Sequence, residues 1–429
     1  MNLWAKLREA EGREAPIRVG LIGAGKFGTM FLAQAHRTPG LRVTGIADLD
    51  LGRARAALER VGWCAAMPEL TEDAERLIAG PVEVVIDATG APPAGIRHAL
   101  AAAVHGKHIV MVNVEADVLA GPLLARRATE AGTLYSMAYG DQPSLIAELV
   151  DWARACGFEV VCAGKGTKYL PAYHASTPET VWSHYGFSEE QLASGDFNAR
   201  MFNSFLDGTK SAIEMAAVAN GTGLEPRPEG LGFPPVGCEE LAEALGPGSN
   251  GTVEVVSSLQ RDGSPVPRDL RWGVYAVFKA TNDYARRCFA EYGLVTDRSG
   301  WYAALYRPYH LIGLELAISV ASVALRGEPT GCPTAFRGDA VAVAKRNLKP
   351  GEMLDGEGGF TVWGRLMPAR ASLERGALPI GLAHGMPLRG AVAAGEVVTW
   401  ADVVADEAAQ PVRIRHEMER LFAPPPARS

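Results

Sequence analysis

Between Ile17 and Ala131, short β-branched apolar runs alternate with stretches whose apolar residues recur at helical spacing. The run IRVGLI reads as a strand and turns through Gly23-Ala24-Gly25-Lys26-Phe27-Gly28 into the helical TMFLAQAHR. A second strand, Arg42 to Ala47, ends on Asp48. Strands follow at Val82 to Ile86 and His108 to Val112, with one helix through His98 and another from Asp117 to Ala131. Strands alternating with helices predict a parallel, doubly wound α/β sheet. Further on the texture changes. Strand-like runs at Phe158 to Ala163, Thr252 to Leu259 and Trp272 to Ala280 are separated by glycine- and proline-rich chain, which predicts an α+β domain. After Gly338 short β runs are punctuated by Gly and Pro. There Lys349-Pro350-Gly351-Glu352-Met353-Leu354 is echoed by Ala393-Ala394-Gly395-Glu396-Val397-Val398, as in two strand–turn halves of one small module. The expected domains are 1–142, 143–336 and 337–429, with the tail from Pro411, ending APPPARS, loosely ordered at its end.

One stretch breaks the usual logic of amphipathic helices. In FNSFLDGTKSAIEMAAVAN, Phe202 to Asn220, a helical projection puts Asp207, Lys210, Ser211 and Glu214 on one side and apolar residues around most of the rest. The charged stripe is the minority face, as in a helix lining a cavity or interface. A ladder of exposed salt bridges, each worth roughly 0.2–0.5 kcal/mol, is the alternative. Ser188-Glu189-Glu190-Gln191 upstream has the form of a capping box.

The glycine turn carries chemistry of its own. In GxGxxG between strand and helix, Gly23 permits the tight turn, Gly25 lets backbone approach a pyrophosphate, and Gly28 lets helix pack on strand. Lys26 and Phe27 lie within the loop. Asp48, 20 residues beyond Gly28, is placed to accept hydrogen bonds from an adenosine ribose, while Arg53 and Arg55 can neutralise a 2′-phosphate. NAD and NADP both remain open. Loops after the next strands put Thr89, Gly90, Asn113 and Glu115 near the cofactor, with capping of the next helix as the other reading of Asn113 and Glu115.

Lys165 and Lys168, in Gly164-Lys165-Gly166-Thr167-Lys168-Tyr169, point to phosphate or carbonyl recognition or to solvated surface lysines; the spacing is not that of a P-loop. In Tyr306 to Glu315, YRPYHLIGLE, Pro308 suits the first turn of a helix. On that helix His310 and Glu315 would be about 140° apart, which excludes an HExxH-type metal pair. Glu315 has apolar neighbours on every side. The apolar Leu311 to Leu325 offers either a dimer face or a core helix.

Composition narrows the classes. The chain has 429 residues and a net charge of −7, which argues against a general polyanion binder such as a nucleic-acid protein. Six scattered cysteines and a charged N-terminus without an apolar leader point to a cytoplasmic protein with reduced thiols. No run is long enough to span a bilayer.

With these pieces placed, the sequence resembles the homoserine-dehydrogenase-like oxidoreductases that carry a C-terminal SAF module, a small β-clip domain. Within that group it looks most like the enzymes described as resembling 1-deoxy-D-xylulose 5-phosphate reductoisomerase. The marks are IRVGLIGAGKFGTMF, GIADLD, DATG, AGKGTKY, FLDGTKSAIE, YRPYHLIGLE and AVAKRNLKPGEMLDGEGG. The resemblance implies an NAD(P)-dependent enzyme with a Rossmann domain, an α+β substrate domain and an all-β SAF module. It further implies a catalytic pocket of Lys165, Lys168, Asp207, Lys210, Glu214, His310 and Glu315 facing the cofactor. A phosphorylated small-molecule substrate and a homodimer are expected. Lys210 is expected to polarise a carbonyl, steadied by Asp207 or Glu214, with Lys165 and Lys168 anchoring phosphate. Asp207, Glu214 and Glu315 are hard oxygen donors of the type that binds Mg²⁺ or Mn²⁺, although lysines can replace a metal as electrophile. A dehydrogenase of another small hydroxy or oxo compound, and a non-catalytic nicotinamide sensor, are the rival readings.

Overall fold

The structure is a computed structural model, and it describes residues 2–194 and 198–423. The last residues of the predicted loose tail lie outside the described residues. The chain divides into two compact units, Met1–Leu145 with His310–Thr334, and Ile146–Tyr309 with Ala335–Ser429. The three consecutive segments expected from the sequence are thus redistributed over two.

The first unit is built on six strands: β1 (Ile17–Ile22), β2 (Leu41–Ala47), β3 (Glu69–Thr71), β4 (Val84–Asp87), β5 (His108–Met111) and β6 (Tyr135–Met137). Their order is β3-β2-β1-β4-β5-β6 and every pairing is parallel. Order reverses beside β1, and its carboxyl end is therefore the switch point at which such sheets bind ligands. Strand residues Val19, Leu21, Val84 and Ile86 are fully buried because helices cover the sheet.

The apolar segment near residue 320 belongs to this core. The Ala317–Arg326 helix buries Val320, Ala321 and Val323 in the same cluster as Val19, Ile46 and Val110. Packing on the sheet accounts for its apolarity. The residues before it also differ from expectation. Tyr306 and Arg307 end a strand, and Pro308 to Leu316 form irregular chain and turns, so His310 and Glu315 are not on a helix. Strand pairing of Arg307 with Val274 outweighs the local signal of Pro308.

The second unit contains a mixed sheet of β7 (Glu159–Thr167), β8 (Thr252–Ser257), β9 (Val274–Lys279), β10 (Val295–Thr296) and β11 (Tyr302–Arg307), ordered β10-β11-β9-β7-β8. Here AGKGT is strand, not loop. Gly164 is glycine because a Cβ would lie 1.7 Å from the Glu254 carbonyl oxygen, and Gly166 because one would lie 1.9 Å from that of Leu270. An antiparallel hairpin of β12 (Gly338–Ala344) and β13 (Val362–Pro368) forms the base of the C-terminal module. Its two echoed turns are real: Gly351 and Gly395 share left-handed φ values of 77° and 82°, and the chains beside them pair through Leu348 and Val392. From Gln410 to Phe422 the chain is helical.

The predicted single helix over Phe202 to Asn220 is two. Ala199–Leu206 and Thr209–Thr222 meet at Asp207-Gly208, where Gly208 has φ 92°. The capping box at Ser188 and Gln191 is present in both directions. Among the described residues no helix is long and apolar enough to cross a membrane.

Candidate functional site

The turn after β1 has the geometry that a dinucleotide needs. A Cβ on Gly28 would lie 2.1 Å from the Gly23 carbonyl oxygen, and one on Gly23 would lie 2.7 Å from that of Ala88, so both glycines are required by packing. Gly25 is different. A Cβ there would meet nothing within 4 Å, which leaves open the space through which a pyrophosphate approaches the backbone. Lys26 and Phe27 begin the Lys26–Ala35 helix, Lys26 exposed and Phe27 half-buried.

Asp48 organises this loop. Its buried carboxylate accepts from the Ala24 N–H at 2.8 Å and from the Asp50 N–H at 2.9 Å, with the exposed Arg53 guanidinium 3.7 Å away. Arg55 is exposed on the same helix, Leu51–Arg60. After β4, Asp87 takes Thr89 on one oxygen (Oγ1 at 2.8 Å) and His98 Nδ1 on the other (2.6 Å), fixing the turn into Gly90. Asn113 caps the Val114–Glu130 helix: its Oδ1 accepts from Ala116 N–H and its amide donates to Ala91 O and Thr89 Oγ1. Its capping role is therefore met, and Glu115 is buried in the first turn of that helix.

His310 and Glu315 lie in this unit too. Gly313, φ 80°, passes so close to the Lys26–Ala35 helix that a Cβ would lie 2.7 Å from Met30 Cβ and 2.8 Å from Phe27 O. Glu315 accepts from Leu311 N–H and touches Gly140. The chain between the half-buried His310 and Glu315 thus packs at Gly313 on the helix that follows the glycine turn.

In the second unit, β7 and the Thr209–Thr222 helix bring Lys165 and Glu214 together. Lys165 Nζ pairs with Glu214 Oε2, the side chains being only 7% and 5% exposed. Lys210 is half-buried in the first turn of that helix, at i to the i+4 of Glu214, so the two positions share a face. Lys168 lies elsewhere: Nζ donates to His184 O at 2.5 Å and sits 5.5 Å from the Tyr185 ring centroid. Burial, and secondarily Arg271, hold its pKa below the usual lysine range.

Asp207 has a different partner from the one expected. Its Oδ1 accepts from Thr209 N–H at 2.9 Å, and Oδ2 lies 2.7 Å from Nζ of Lys345, a residue of the C-terminal module. Burial pushes the Asp207 pKa up, and Lys345 partly offsets this. Asp207 and Glu214 are each paired with a lysine, while Glu315 belongs to the first unit. Among the described residues no group of three or more His, Cys, Asp or Glu is placed to hold a metal.

Several residues were not singled out from the sequence. His174 donates through Nδ1 to the Asp207 carbonyl at 2.7 Å, since a carbonyl can only accept. Nε2 is left to accept from Tyr169 Oη at 3.0 Å, and burial lowers the His174 pKa, in keeping with a neutral ring. His174 stacks on Trp363 at 3.8 Å and Tyr169 on Phe233 at 3.9 Å. His174, Trp363 and Phe233 border a pocket of about 270 Å³ that also touches Arg365, Gly208 and Ala212 but neither Lys165 nor Glu214. The buried Glu254 carboxylate receives the N–H groups of Gly232 and Phe233 and so holds Phe233 at its left-handed φ of 48°. Lys345 had one sequence signal, a cation directly after the apolar strand VAVA.

Three family models match consecutive parts of the sequence. They are the NAD-binding Rossmann fold of an oxidoreductase family over residues 17–112, the catalytic domain of oxidoreductase DRL over 140–316, and the SAF domain over 339–404. By these matches the chain carries an NAD-binding Rossmann domain, an oxidoreductase catalytic domain and a C-terminal SAF domain. Among solved structures, scyllo-inositol dehydrogenase from Lactobacillus casei is 14% identical over 39% of this chain and 50% of its own, at a TM-score of 0.29. The myo-inositol dehydrogenase of the same organism is 17% identical over 39% and 50%, at 0.30. A probable dehydrogenase from Thermotoga maritima is 15% identical over 73% and 90%, at 0.36. The match spans about half the length of the two inositol dehydrogenases. No curated protein matches the sequence.

Proposed function

We propose that the enzyme is a reductoisomerase of a small sugar phosphate, converting 1-deoxy-D-xylulose 5-phosphate to 2-C-methyl-D-erythritol 4-phosphate. The observation that carries this reading is the buried Lys165–Glu214 pair, which lies within the segment matching the oxidoreductase DRL catalytic domain. A ketol rearrangement needs a base at a hydroxyl and an acid at the neighbouring carbonyl, and a buried carboxylate beside an ammonium supplies both. Glu214 takes the hydroxyl proton as that carbon becomes a carbonyl. The carbon–carbon bond shifts to the former ketone carbon, whose oxygen takes a proton from Lys165. The aldehyde so formed accepts a hydride, and its oxygen takes the proton that Glu214 holds, while solvent returns the proton that Lys165 gave. Bound NADH or NADPH supplies the hydride. Arg53 beside Asp48 supports NADPH, and Asp48 itself supports NADH.

Lys210, one helical turn from Glu214, adds a second cation for the carbonyl or the phosphate. With both carboxylates paired to lysines, the lysines take the electrophile's place and activity is expected to survive chelation.

A simple NAD(P)-dependent dehydrogenase of another small hydroxy or oxo compound is the second reading. One observation favours it: the Lys165 ammonium is engaged by Glu214 and that of Lys168 by His184 O, which argues against either as a dedicated phosphate anchor. Product analysis separates the two. Purified protein incubated with 1-deoxy-D-xylulose 5-phosphate and NADPH or NADH is expected to yield the branched carbon skeleton by NMR. Consumption of reductant with an unrearranged skeleton supports the dehydrogenase; no turnover rejects the proposed substrate.

A further inference from the structure

We propose that Lys345, contributed by the SAF hairpin, is a positioning residue for the helix that carries Glu214. The proposal rests on the reading of Glu214 as the proton-handling carboxylate.

The Thr209–Thr222 helix is fastened to the SAF hairpin at its start, middle and end. At the start, the side chains of Asp207 and Lys345 are 0% and 3% exposed. Lys345 Nζ donates to Ser176 O at 2.7 Å and Gly359 O at 2.8 Å, and its charge lies 2.7 Å from Asp207 Oδ2 as an ion pair. Thr209 Oγ1 accepts from Gly364 N–H at 2.7 Å. A Cβ on Gly364 would lie 2.8 Å from Thr209 Cγ2, so β13 passes the helix start at glycine distance. In the middle, a Cβ on Gly338 would lie 3.1 Å from Ala216 Cα. At the end, Asn220 Oδ1 accepts from the N–H groups of Arg337 and Gly338 at 2.7 and 3.0 Å, and its amide donates to Gly338 O at 3.2 Å.

Apolar residues of similar volume can match or exceed the stability of a buried ion pair, so stability alone does not account for this lysine. Geometry does. Asp207 stands at the break between two helices, two turns before Glu214. A lysine held by two backbone carbonyls and paired with the Asp207 carboxylate sets where the second helix begins and hence where Glu214 meets Lys165 on β7.

The test compares Lys345→Met with the double variant Lys345→Met/Asp207→Asn, which leaves no unpaired buried charge and serves if the single variant does not fold. Three readouts are taken. The first is the Lys165 side-chain ammonium NMR resonance, identified by its loss in Lys165→Met. The second is amide exchange across residues 209–222. The third is NADPH-dependent turnover of 1-deoxy-D-xylulose 5-phosphate as a function of pH. In either variant the Lys165 resonance is expected to move and helix exchange to quicken tenfold or more. Turnover is expected to show a kcat at least tenfold lower, a displaced kcat–pH profile, and KM and NADPH affinity within twofold. In the double variant thermal stability recovers and kcat does not. An unmoved Lys165 resonance in a folded variant overturns the proposal, as does a kcat that recovers together with thermal stability at an unchanged pH profile. The resonance needs no substrate, so it decides even if the sugar phosphate is not turned over. Normal turnover in Glu214→Gln would sink the reading of the site itself; normal turnover in Lys345→Met beside a collapsed Glu214→Gln would sink this inference alone.

Discussion

Two ion pairs of the second unit are equally hidden from solvent and differently built. Lys165–Glu214 joins a strand to a helix through a single ammonium, with side chains 7% and 5% exposed. Arg415–Asp339, at 0% on both sides, ties the Gln410–Phe422 helix to β12. Arg415 spreads its guanidinium over Asp339 (2.6 Å) and Glu419 (2.7 Å), and its charge sits 4.9 Å from the Phe336 ring centroid. Burial works against that charge, but Asp339 and then Glu419 outweigh it and hold the Arg415 pKa above its ordinary value. A planar fork that never gives up its proton is a staple; an ammonium, a point donor that can lose one, suits chemistry. Head-group choice, not burial, separates the two roles. Lys345–Asp207 tests that rule from the middle, because there a lysine serves as a staple, held by two backbone carbonyls beside its ion pair.

The comparison breaks most visibly at Glu214. Glu214→Gln keeps size and polarity while removing the base, so kcat is expected to fall about 10²–10⁴-fold, the range of general acid–base assistance. Steady-state turnover alongside a circular-dichroism melt checks it, and a loss of melting temperature in proportion to activity would make this pair a staple as well. Asp339→Ala should do the reverse. Breaking a buried pair costs about 3–5 kcal/mol, so urea unfolding should show a loss of that order while kcat per folded molecule is unchanged.

Why one pair was foreseen only in part and the other not at all follows from sequence distance. The strand–turn–helix at the glycines and the alternating strands are local signals, and the fold has them where the sequence predicts, because each depends on backbone a few residues away or on the next strand. Lys165 and Glu214 were both named as candidates, yet nothing local says that β7 lies against that helix. The break at Asp207-Gly208 did carry a signal, the turn-forming Asp-Gly pair, which the apolar periodicity of the flanking segments masked. The strand character of Gly164 to Thr167 depends on close contact with Glu254 and Leu270, and the extended Tyr306-Arg307 depends on β9. Those partners are remote, as Lys345 is from Asp207. Local structure was therefore legible, and pairing across the unit was not.

Asp117 sharpens the comparison from the other side, as a buried carboxylate with no cation among the described residues. Its Oδ1 accepts from Tyr135 Oη at 2.8 Å and its Oδ2 has no hydrogen-bond partner. Burial pushes its pKa up to about 7, against a small lowering by Tyr135. A carboxyl held protonated in the fold favours folding below the unfolded-state pKa, and that advantage is lost as pH rises from about 4 through about 7. Asp117→Asn removes the titration. Relative to the parent, it should gain on the order of 1–3 kcal/mol between pH 5 and pH 8 in parallel urea titrations. A difference independent of pH would mean that Asp117 is ionised in the fold and has found compensation.

The smallest effect is expected at Lys168, and it bears on whether a lysine of this unit anchors phosphate. Its ammonium is already committed to His184 O and the Tyr185 ring. Lys168→Met keeps the aliphatic stem and removes one hydrogen bond and one cation–π contact, together about 1 kcal/mol at a half-buried site. If Lys168 is a staple, KM for a phosphorylated substrate should stay within twofold and the loss should appear only in the unfolding midpoint. If it anchors phosphate, KM should rise tenfold or more for the phosphorylated substrate and not for its dephosphorylated counterpart. The first outcome leaves phosphate binding to a group other than Lys168. The second would mean that the contact with His184 opens when substrate binds, and that engagement by a backbone carbonyl does not disqualify a lysine from the chemistry.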